Sequence, residues 1–245
     1  MSTDRNGPHA GPLPGRVRAK TGYDREVHGQ TWPATATEQS SVLASDWVLF
    51  ALVGLAVALL VWGLILFALV RWRRPARDGD DAYPPQFRNH NALEIAWTVV
   101  PLLLVIGLFA YTYRAEANVE ALAPKPDVTV AVNGYRWGWT FAYDGGPSVS
   151  GTARNPPEMV IPLGETTRIV LTSSDVNHAF WVPDFLFKRD AIPGRTSSFD
   201  LRPSKLGTYL GRCAEFCGLD HALMSFSVRV VPPGEYARWR RGGAR

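Results

Sequence analysis

The sequence is poor in the residues that form disulfide frameworks or bind haem and metal ions. It has two cysteines, three methionines and five histidines among 245 residues. Two cysteines allow one disulfide at most, and no Cys-x-x-Cys-His motif is present, so covalent attachment of a c-type haem is excluded. No internal repeat is present, so a solenoid is not indicated. Any soft-metal chemistry must therefore come from a small set of sulfur and imidazole side chains.

Charged residues are missing from two long stretches of the chain. Residues 47–70 carry no charge, and neither do residues 95–113. At 1.5 Å per residue, both stretches are long enough to cross the hydrocarbon core of a bilayer. The pattern predicts transmembrane helices at about 46–72 and 93–113, which form a membrane hairpin over residues 45–114.

The connection between these helices is rich in arginine. The residues are Arg71, Arg73, Arg74, Arg77 and Arg88. Short arginine-rich loops stay on the cytoplasmic side of a membrane, so both chain ends are predicted to face outward. Residues 1–44 are polar and lack an apolar core followed by a small-residue cleavage site. They therefore indicate a disordered tail rather than a signal peptide.

After residue 114 the sequence changes to short apolar or alternating segments separated by proline and glycine. Such segments are typical of β-strands, and they occur at 128–132, 137–143, 167–172, 179–182, 208–213 and 226–231. In one segment Trp137, Trp139, Phe141 and Tyr143 alternate, which predicts that they share a strand face. Regularly spaced short strands predict that residues 115–245 form an all-β sandwich or barrel.

The segment CAEFCGLDHALM, residues 213–224, contains both cysteines of the chain. The thiolates of Cys213 and Cys217 with His221 and Met224 form a soft donor set, which suits copper far better than calcium or magnesium. A copper site also needs a donor from outside the loop. His178, which follows the predicted strand at 167–172, is the candidate.

Three other interpretations of Cys213 and Cys217 remain open at this point. A disulfide is permitted outside the membrane, but it would close a loop too short to constrain the unfolded chain much. A Cys2His2 zinc site matches the cysteines and histidines but leaves Met224 without a role. A site for one copper ion would use one cysteine, two histidines and an axial methionine, and the second cysteine counts against it.

Four segments closely resemble subunit II of haem-copper cytochrome c oxidases. They are SSDVNHAFWVPDFLFKRDAIPGR (173–195), GTYLGRCAEFCGLDHALMSFSVRVV (207–231), GYRWGWTFAY (134–143) and LEIAWTVVP (93–101). Together with the two helices, the resemblance covers nearly everything after the N-terminal tail. It implies a membrane-anchored protein whose helical hairpin precedes a cupredoxin-like Greek-key β-barrel.

The resemblance implies a binuclear copper centre of the CuA type. The expected ligands are His178, Cys213, the backbone carbonyl of Glu215, Cys217, His221 and Met224. The two cysteines would bridge the copper ions, and each histidine would bind one of them. The methionine and the carbonyl would each be a weak ligand of one copper. The side chain of Glu215 would bind Mg or Mn at the boundary with subunit I, since carboxylate oxygens suit such ions.

The resemblance also implies a function and partners. The chain would accept single electrons from a soluble or membrane-bound cytochrome c and pass them to haem in subunit I, where O2 is reduced with proton translocation. Trp137 would receive the electron, and Glu94 would mark the entrance of a proton path into subunit I. Subunit III would be a further partner, and nucleic acid would not. The setting would be the cytoplasmic membrane of a prokaryote, with both termini on the periplasmic side.

The residues around Trp137 depart from the family's usual motif at the surface expected to meet the electron donor. Tyr135 and Arg136 replace the family's usual His-Gln before Trp137, and Gly138 replaces an aromatic residue. Acids near the ligand segments are the candidates to steer a basic cytochrome c by opposite charge. These acids are Asp175, Asp184, Asp190, Asp200 and Asp220.

Two other functions would keep part of this architecture. A quinol oxidase subunit II is a scaffold without copper, and the full ligand set present here argues against it. A membrane-anchored copper-delivery protein outside an oxidase would have no need of Glu94 and Glu215. Copurification with a haem-bearing partner would distinguish an oxidase subunit from a copper-delivery protein.

Overall fold

A computed structural model of the chain describes residues 35–73 and 88–242. Most of the predicted disordered tail lies outside these residues. Arg74 and Arg77 of the predicted cytoplasmic loop lie outside them as well. The two long helices and the β domain are described almost completely.

Two long helices precede the strands. α1 spans Glu38–Arg71 and α2 spans Asn91–Glu120, and α2 continues through Pro101. Both helices are long and apolar enough to cross a membrane, as the sequence predicts. Most of their large apolar side chains are exposed. Exposing so large an apolar surface to water is energetically unfavourable, so lipid or apolar protein surface must cover it.

α1 begins earlier than the predicted start near residue 46. Thr37 is its N-cap, and the Thr37 hydroxyl accepts a hydrogen bond from the Ser40 N–H at 3.0 Å. The Ser40 hydroxyl accepts one in return from the Thr37 N–H, also at 3.0 Å. This reciprocal capping box satisfies two backbone donors and starts the helix at Glu38. The uncharged residues 47–70 are the part of α1 that can lie in lipid, and the helix itself begins nine residues earlier, at Glu38.

Ten strands and a third helix follow. The strands are β1 (Val128–Tyr135), β2 (Gly138–Tyr143), β3 (Ser148–Thr152), β4 (Glu158–Pro162), β5 (Thr167–Ser173), β6 (His178–Val182), β7 (Phe187–Ala191), β8 (Ser197–Leu201), β9 (Gly207–Cys213) and β10 (Ser225–Val231). They form two five-stranded sheets with the orders β3-β2-β1-β5-β8 and β4-β10-β9-β6-β7. β1 pairs with β5 and β4 pairs with β10 in parallel. Since β4 lies in the other sheet from β1 and β5, the chain crosses between the sheets. The predicted fold class, a helical pair before a cupredoxin-like β domain, is confirmed.

The predicted strands are the central ones, and the strands that the sequence pattern missed are the four sheet edges. β3 and β8 border the first sheet, and β4 and β7 border the second. β3, β7 and β8 carry polar residues, which in edge strands discourage pairing with other chains, so their apolar signal is weak. The sequence FKRDA of β7 is an example. β4 is apolar but only five residues long. The short helix α3 (Pro233–Gly242) was not predicted either.

Aromatic side chains fill the space between the two sheets. The rings of Trp139 and Phe141 from β2 lie 5.3 and 5.6 Å from Phe226 of β10. Phe180 of β6 stacks on Phe226 at 4.7 Å. Burying a phenylalanine of this kind contributes roughly 1.5–3 kcal/mol. The Trp139 ring also lies 6.1 Å from the imidazole of His178, so the aromatic core packs against that residue.

An ion pair holds the segment that joins α2 to the β domain. Arg168 donates from Nε and Nη2 to the two carboxylate oxygens of Asp200, each at 2.8 Å. Asp200 also accepts from the Ala123 N–H at 2.7 Å, and Arg168 donates to the Ala123 carbonyl at 2.7 Å. Both backbone groups of Ala123 are thus bound to one buried ion pair, which fixes where the chain enters the β domain.

Candidate metal centre

Two neighbouring strands and the loop after one of them position the predicted metal donors. His178 begins β6 and Cys213 ends β9, and these strands pair. Cys217 lies in the following loop, and His221 opens a 3-10 turn that leads to β10. The Cys213 N–H donates to the Met224 carbonyl at 2.9 Å, which closes the loop at its base.

The two cysteine sulfurs form the middle of the donor cluster. They lie 3.9 Å apart, and both cysteines are buried. The sulfur of Cys213 lies 3.8 Å from Nδ1 of His178 and 3.3 Å from the carbonyl oxygen of Glu215. The sulfur of Cys217 lies 3.6 Å from Nδ1 of His221.

The last donor is a thioether. The Met224 sulfur lies 3.7 Å from the sulfur of Cys217. Each cysteine sulfur therefore has one imidazole and one weaker donor of its own. The structure brings together every group that the sequence nominated as a copper ligand. The cysteines are not joined to each other, so the disulfide interpretation has no support in this structure.

The two thiols differ in acidity. Burial disfavours the thiolate of Cys213, but hydrogen bonds from His178 and from backbone groups of Ala179 and Glu215 outweigh it and lower the pKa of this thiol. Burial and the neighbouring Cys213 thiolate raise the pKa of Cys217. A soft metal ion bound between the two sulfurs would favour the second thiolate.

Asp175 orients the first histidine. Its Oδ1 atom lies 2.9 Å from Nε2 of His178, so Nδ1 faces the cysteines. Asp175 also accepts from the backbone N–H groups of Arg136 and Val176 at 2.7 and 2.6 Å. Burial favours the neutral carboxyl group, but these hydrogen bonds outweigh it and lower the pKa of Asp175 to about 2. Metal-binding histidines commonly have such a partner, whereas the sequence alone suggested only a docking role.

Trp137 lies against the cysteine loop, in the turn before β2. Its Nε1–H donates to the carbonyl of Cys217 at 3.1 Å. A Cβ atom added to Gly218 would come within 3.2 Å of the same ring. The prediction that Trp137 shares a strand face with Trp139 is wrong, because β2 begins at Gly138. Trp139 is a core residue, whereas Trp137 is half-buried at the surface.

The two acids nominated by the resemblance occupy different parts of the chain. Glu215 contributes its carbonyl to the donor cluster, and its side chain is half-buried on the loop. The carboxylate of Glu94 accepts a hydrogen bond from the His90 N–H at 3.1 Å in the first turn of α2. Negative charge is favoured at that end of a helix, which gives Glu94 a structural role. Further roles for both side chains stay predictions.

The acids predicted to steer an electron donor do not form one surface. Asp200 is only 4% exposed and is bound to the arginine of β5, so its assignment as a docking acid is wrong. Asp175 is hydrogen-bonded to His178. Asp190 lines an open cavity together with Lys188, Arg189 and Arg195. Asp184 and Asp220 stay predictions.

The fold and the site together define the class of this protein. It is a membrane-anchored, cupredoxin-like protein with a cluster of soft donors at the start of β6, the end of β9 and the loop after β9. The ligand atoms of His178, Cys213 and Cys217 lie within 4.8 Å of one another and fit a copper site.

Comparison with known proteins agrees with this class. A family model described as cytochrome c oxidase subunit II, periplasmic domain, matches residues 153–231. A probable cytochrome c oxidase subunit 2 of Streptomyces avermitilis is 40% identical over 83% of this chain and 76% of the relative. The cytochrome c oxidase subunit 2 of Corynebacterium diphtheriae is 30% identical over 86% of this chain and 75% of the relative. The chain belongs to the cytochrome c oxidase subunit 2 family, which confirms the resemblance seen in the sequence.

Two solved structures are also similar. The periplasmic domain of subunit II of cytochrome oxidase (CoxB) of Bradyrhizobium japonicum is 37% identical, with a TM-score of 0.45 over 49% of this chain and 96% of that domain. A chain of a haem-copper terminal oxidase dimer is 22% identical, with a TM-score of 0.43 over 57% of this chain and 99% of that chain.

Proposed function

We propose that this chain is the electron-accepting subunit of a respiratory cytochrome c oxidase. It takes single electrons from cytochrome c at a binuclear CuA centre and passes them to haem in subunit I, where O2 is reduced to water with proton translocation. The observation that carries this proposal is the pair of cysteine sulfurs 3.9 Å apart, each with its own histidine and its own weaker donor.

This arrangement favours two metal ions over one. The ligand atoms of a single tetrahedral zinc ion lie about 3.3–3.8 Å apart, given bonds of about 2.0–2.3 Å. Within the described residues, the mutually close group contains His178, Cys213 and Cys217 but not His221. The two imidazoles thus flank the sulfur pair rather than sharing one centre. This geometry supports a centre in which His178 would hold one metal ion and His221 the other, with Cys213 and Cys217 available to both.

The chain supplies a rigid frame for electron transfer. A copper pair held by Cys213, Cys217 and the two histidines would supply one-electron transfer at this site, and the residues around it would hold its ligands in place. Asp175 holds the His178 ring, and the backbone hydrogen bond from Cys213 to Met224 holds the base of the loop. The Trp139 ring packs against the imidazole of His178 and limits its movement on the core side. Ligands locked in this way keep their positions in both oxidation states.

We assign electron reception to Trp137. Its indole is half-buried, so one part of the ring meets the surface while Nε1 donates to the Cys217 carbonyl. Because Cys217 is a proposed bridging ligand, this hydrogen bond connects the surface to the copper centre in one step.

The proposal extends to the assembly. The Glu215 side chain binds Mg or Mn together with subunit I, and Glu94 marks the entrance of a proton path into that subunit. Subunits I and III pack on the apolar faces of the helices, in the cytoplasmic membrane of a prokaryote with both chain ends on the periplasmic side. The two helices span Glu38–Arg71 and Asn91–Glu120, and the proposed CuA domain follows them from β1 onward.

Copper loading of the purified full chain in detergent tests the proposal. We expect two coppers per chain and a paramagnetic resonance spectrum in which one unpaired electron is shared by both nuclei. His221→Gln is expected to abolish the shared signal, because it removes the terminal donor beside Cys217. His90→Gln replaces a histidine at the start of α2, outside the donor cluster, and is the matched control.

Other outcomes of this experiment would contradict the proposal. One copper with a localised signal would indicate a mononuclear cupredoxin site, and preferential binding of zinc would indicate a structural site. Copurification tests membership of an oxidase separately. A chain that holds two coppers but never copurifies with a haem-bearing subunit would be a copper-delivery protein instead.

A further inference from the structure

An open cavity lies beside the last turn of α2. Its volume is about 380 Å³, which is in the range of sites that hold small ligands. Glu120 lines it from the helix, and its other lining residues come from β7, the first residue of β8 and the connection between these strands. β7 and β8 are edge strands of different sheets. The cavity is therefore at an open edge of the sandwich, next to the end of the membrane helix.

Basic side chains predominate in the lining of this cavity. Lys188, Arg189 and Arg195 line it together with two acids, Glu120 and Asp190. The side chains of Lys188 and Arg195 form no hydrogen bond or ion pair with any other residue that the structure describes, and both residues are exposed. With three bases against two acids, the cavity favours an anionic ligand.

Arg189 is held in place at the cavity but keeps unused hydrogen-bonding capacity. Its Nη2 atom donates to the carboxylate of Glu120, and its guanidinium carbon lies 5.4 Å from the ring centroid of Phe187 and 6.0 Å from that of Phe199. The Nε atom of Arg189 and the hydroxyl of Ser197 are buried, and neither has a hydrogen-bond partner among the described residues. Because buried polar groups are normally paired, these two groups point to an acceptor from outside the chain.

The cavity is near the level of lipid headgroups. Glu120 is seven residues beyond Tyr113, the last residue of the uncharged stretch 95–113. This separation corresponds to about 10 Å along the helix axis. The headgroup layer on each side of the hydrocarbon core is roughly 5–8 Å thick. Lysine and arginine side chains are long enough to bridge the remaining distance, so a headgroup at the membrane surface can reach the cavity.

We infer that this cavity binds a phosphate group, either the headgroup phosphate of a phospholipid whose acyl chains lie along α2 or free phosphate. Phosphate oxygens accept hydrogen bonds from guanidinium, ammonium and hydroxyl groups at once, and Arg189, Lys188, Arg195 and Ser197 offer all three kinds of donor. The inference goes beyond the proposed function and does not depend on bound copper.

Lipid binding by the purified full chain in detergent, counted by native mass spectrometry, tests the inference. The probes are phosphatidylglycerol and a diacylglycerol with the same acyl chains, which lacks the phosphate. We expect phosphatidylglycerol to bind about tenfold more tightly or better. The double variant Lys188→Gln/Arg195→Gln should weaken phosphatidylglycerol binding roughly 25-fold, about fivefold for each charge removed. Asp190→Asn should tighten this binding, because it removes a carboxylate that repels phosphate.

The matched control is Arg154→Gln/Arg238→Gln, which removes the same charge from exposed positions outside the cavity. It should leave phosphatidylglycerol binding unchanged. Because Lys188 and Arg195 are exposed, urea unfolding of their double variant should match that of the unmodified chain.

Inorganic phosphate as a competitor distinguishes the two sources of the phosphate group. Displacement of phosphatidylglycerol by millimolar phosphate would support a site that free phosphate can occupy. Binding that resists this competitor would support a phospholipid site to which the acyl chains contribute.

Two results would overturn the inference. Equal binding of phosphatidylglycerol and diacylglycerol would show that the apolar helices alone take up lipid. An equal loss in the control variant would show that binding follows the total charge of the chain rather than this cavity. Neither measurement involves copper, so failure of the proposed function would leave this inference standing.

Discussion

The Oδ1 atom of Asp175 lies 2.9 Å from Nε2 of His178, which directs Nδ1 of that histidine to the sulfur of Cys213. The other oxygen of Asp175 accepts the N–H of Arg136, the residue before Trp137. One carboxylate therefore connects the turn that carries Trp137, the proposed electron acceptor, to His178, a proposed metal ligand. Removing this carboxylate should therefore affect both the position of the Trp137 turn and the orientation of His178.

Replacing Asp175 tests this connection. We expect Asp175→Ala to lower copper affinity by about 10–100-fold, the usual effect of losing the partner of a ligand histidine. Asp175→Asn should cost less, because the amide oxygen still accepts a hydrogen bond. Competition with a copper chelator measures the affinity. Arg136→Ala is the control, since it removes only the 3.4 Å contact of the Arg136 Nε atom with Asp175 and keeps the backbone N–H. An equal loss in this variant would contradict the explanation.

Trp137→Phe should slow electron transfer from reduced cytochrome c severalfold, because phenylalanine cannot donate to the Cys217 carbonyl. Stopped-flow reduction of the copper centre measures the rate, and the copper spectrum should not change. Trp239→Phe alters a tryptophan that packs on Tyr143, 4.9 Å away between ring centroids, and should have no effect on the rate. Equal rates in the two variants would remove Trp137 from the path.

Glu94→Gln separates the two roles of this residue in α2. Glutamine can still accept the hydrogen bond from the His90 N–H but cannot carry a proton as a carboxylate does. We expect slower proton uptake and turnover of the reconstituted oxidase, with an unchanged copper spectrum. If Glu94→Gln turns over normally and Glu94→Ala does not, the residue only caps the helix.

Arg168→Met should destabilise the β domain by about 3–5 kcal/mol, because it leaves the buried Asp200 carboxylate without its partner. The double variant Arg168→Met/Asp200→Leu should recover much of this loss, since no charge then stays buried. Urea unfolding of the full chain, followed by tryptophan fluorescence, gives both values. A double variant as unstable as the single one would show that the cost comes from the lost contacts to Ala123 instead.

Gly211→Ala should destabilise the chain by about 1–3 kcal/mol or more, the range for an overpacked core. An added Cβ would lie 2.1 Å from a ring carbon of Phe226, which is itself packed among other rings. Gly234→Ala is the control, because the nearest atom to its Cβ is a mobile arginine nitrogen 3.9 Å away. The same urea unfolding experiment compares them, and equal stabilities would mean that the ring moves aside freely.

The outcome for individual residues shows where prediction from sequence reaches its limit. Spacing within one loop was enough to nominate Cys213, Cys217 and Met224, because donors close in sequence stay close in space. The start of α1 was missed, since its signal is a capping box at Thr37 rather than the apolar run. Asp200 was misplaced for a different reason: its ion pair with Arg168 joins residues far apart in the chain.

The sequence by itself determined the two apolar helices, the central strands and the soft-donor loop, since each depends on composition or spacing over a short segment. Only the tertiary structure decided that His178 contacts Cys213 and that Asp175 orients this histidine. It also decided that Trp137 lies outside β2, in the turn, where it contacts Cys217. These relationships depend on how β6 and β9 pair and how the turn before β2 packs on the loop. Pairing and packing of this kind are set by the whole core and cannot be read from any single segment.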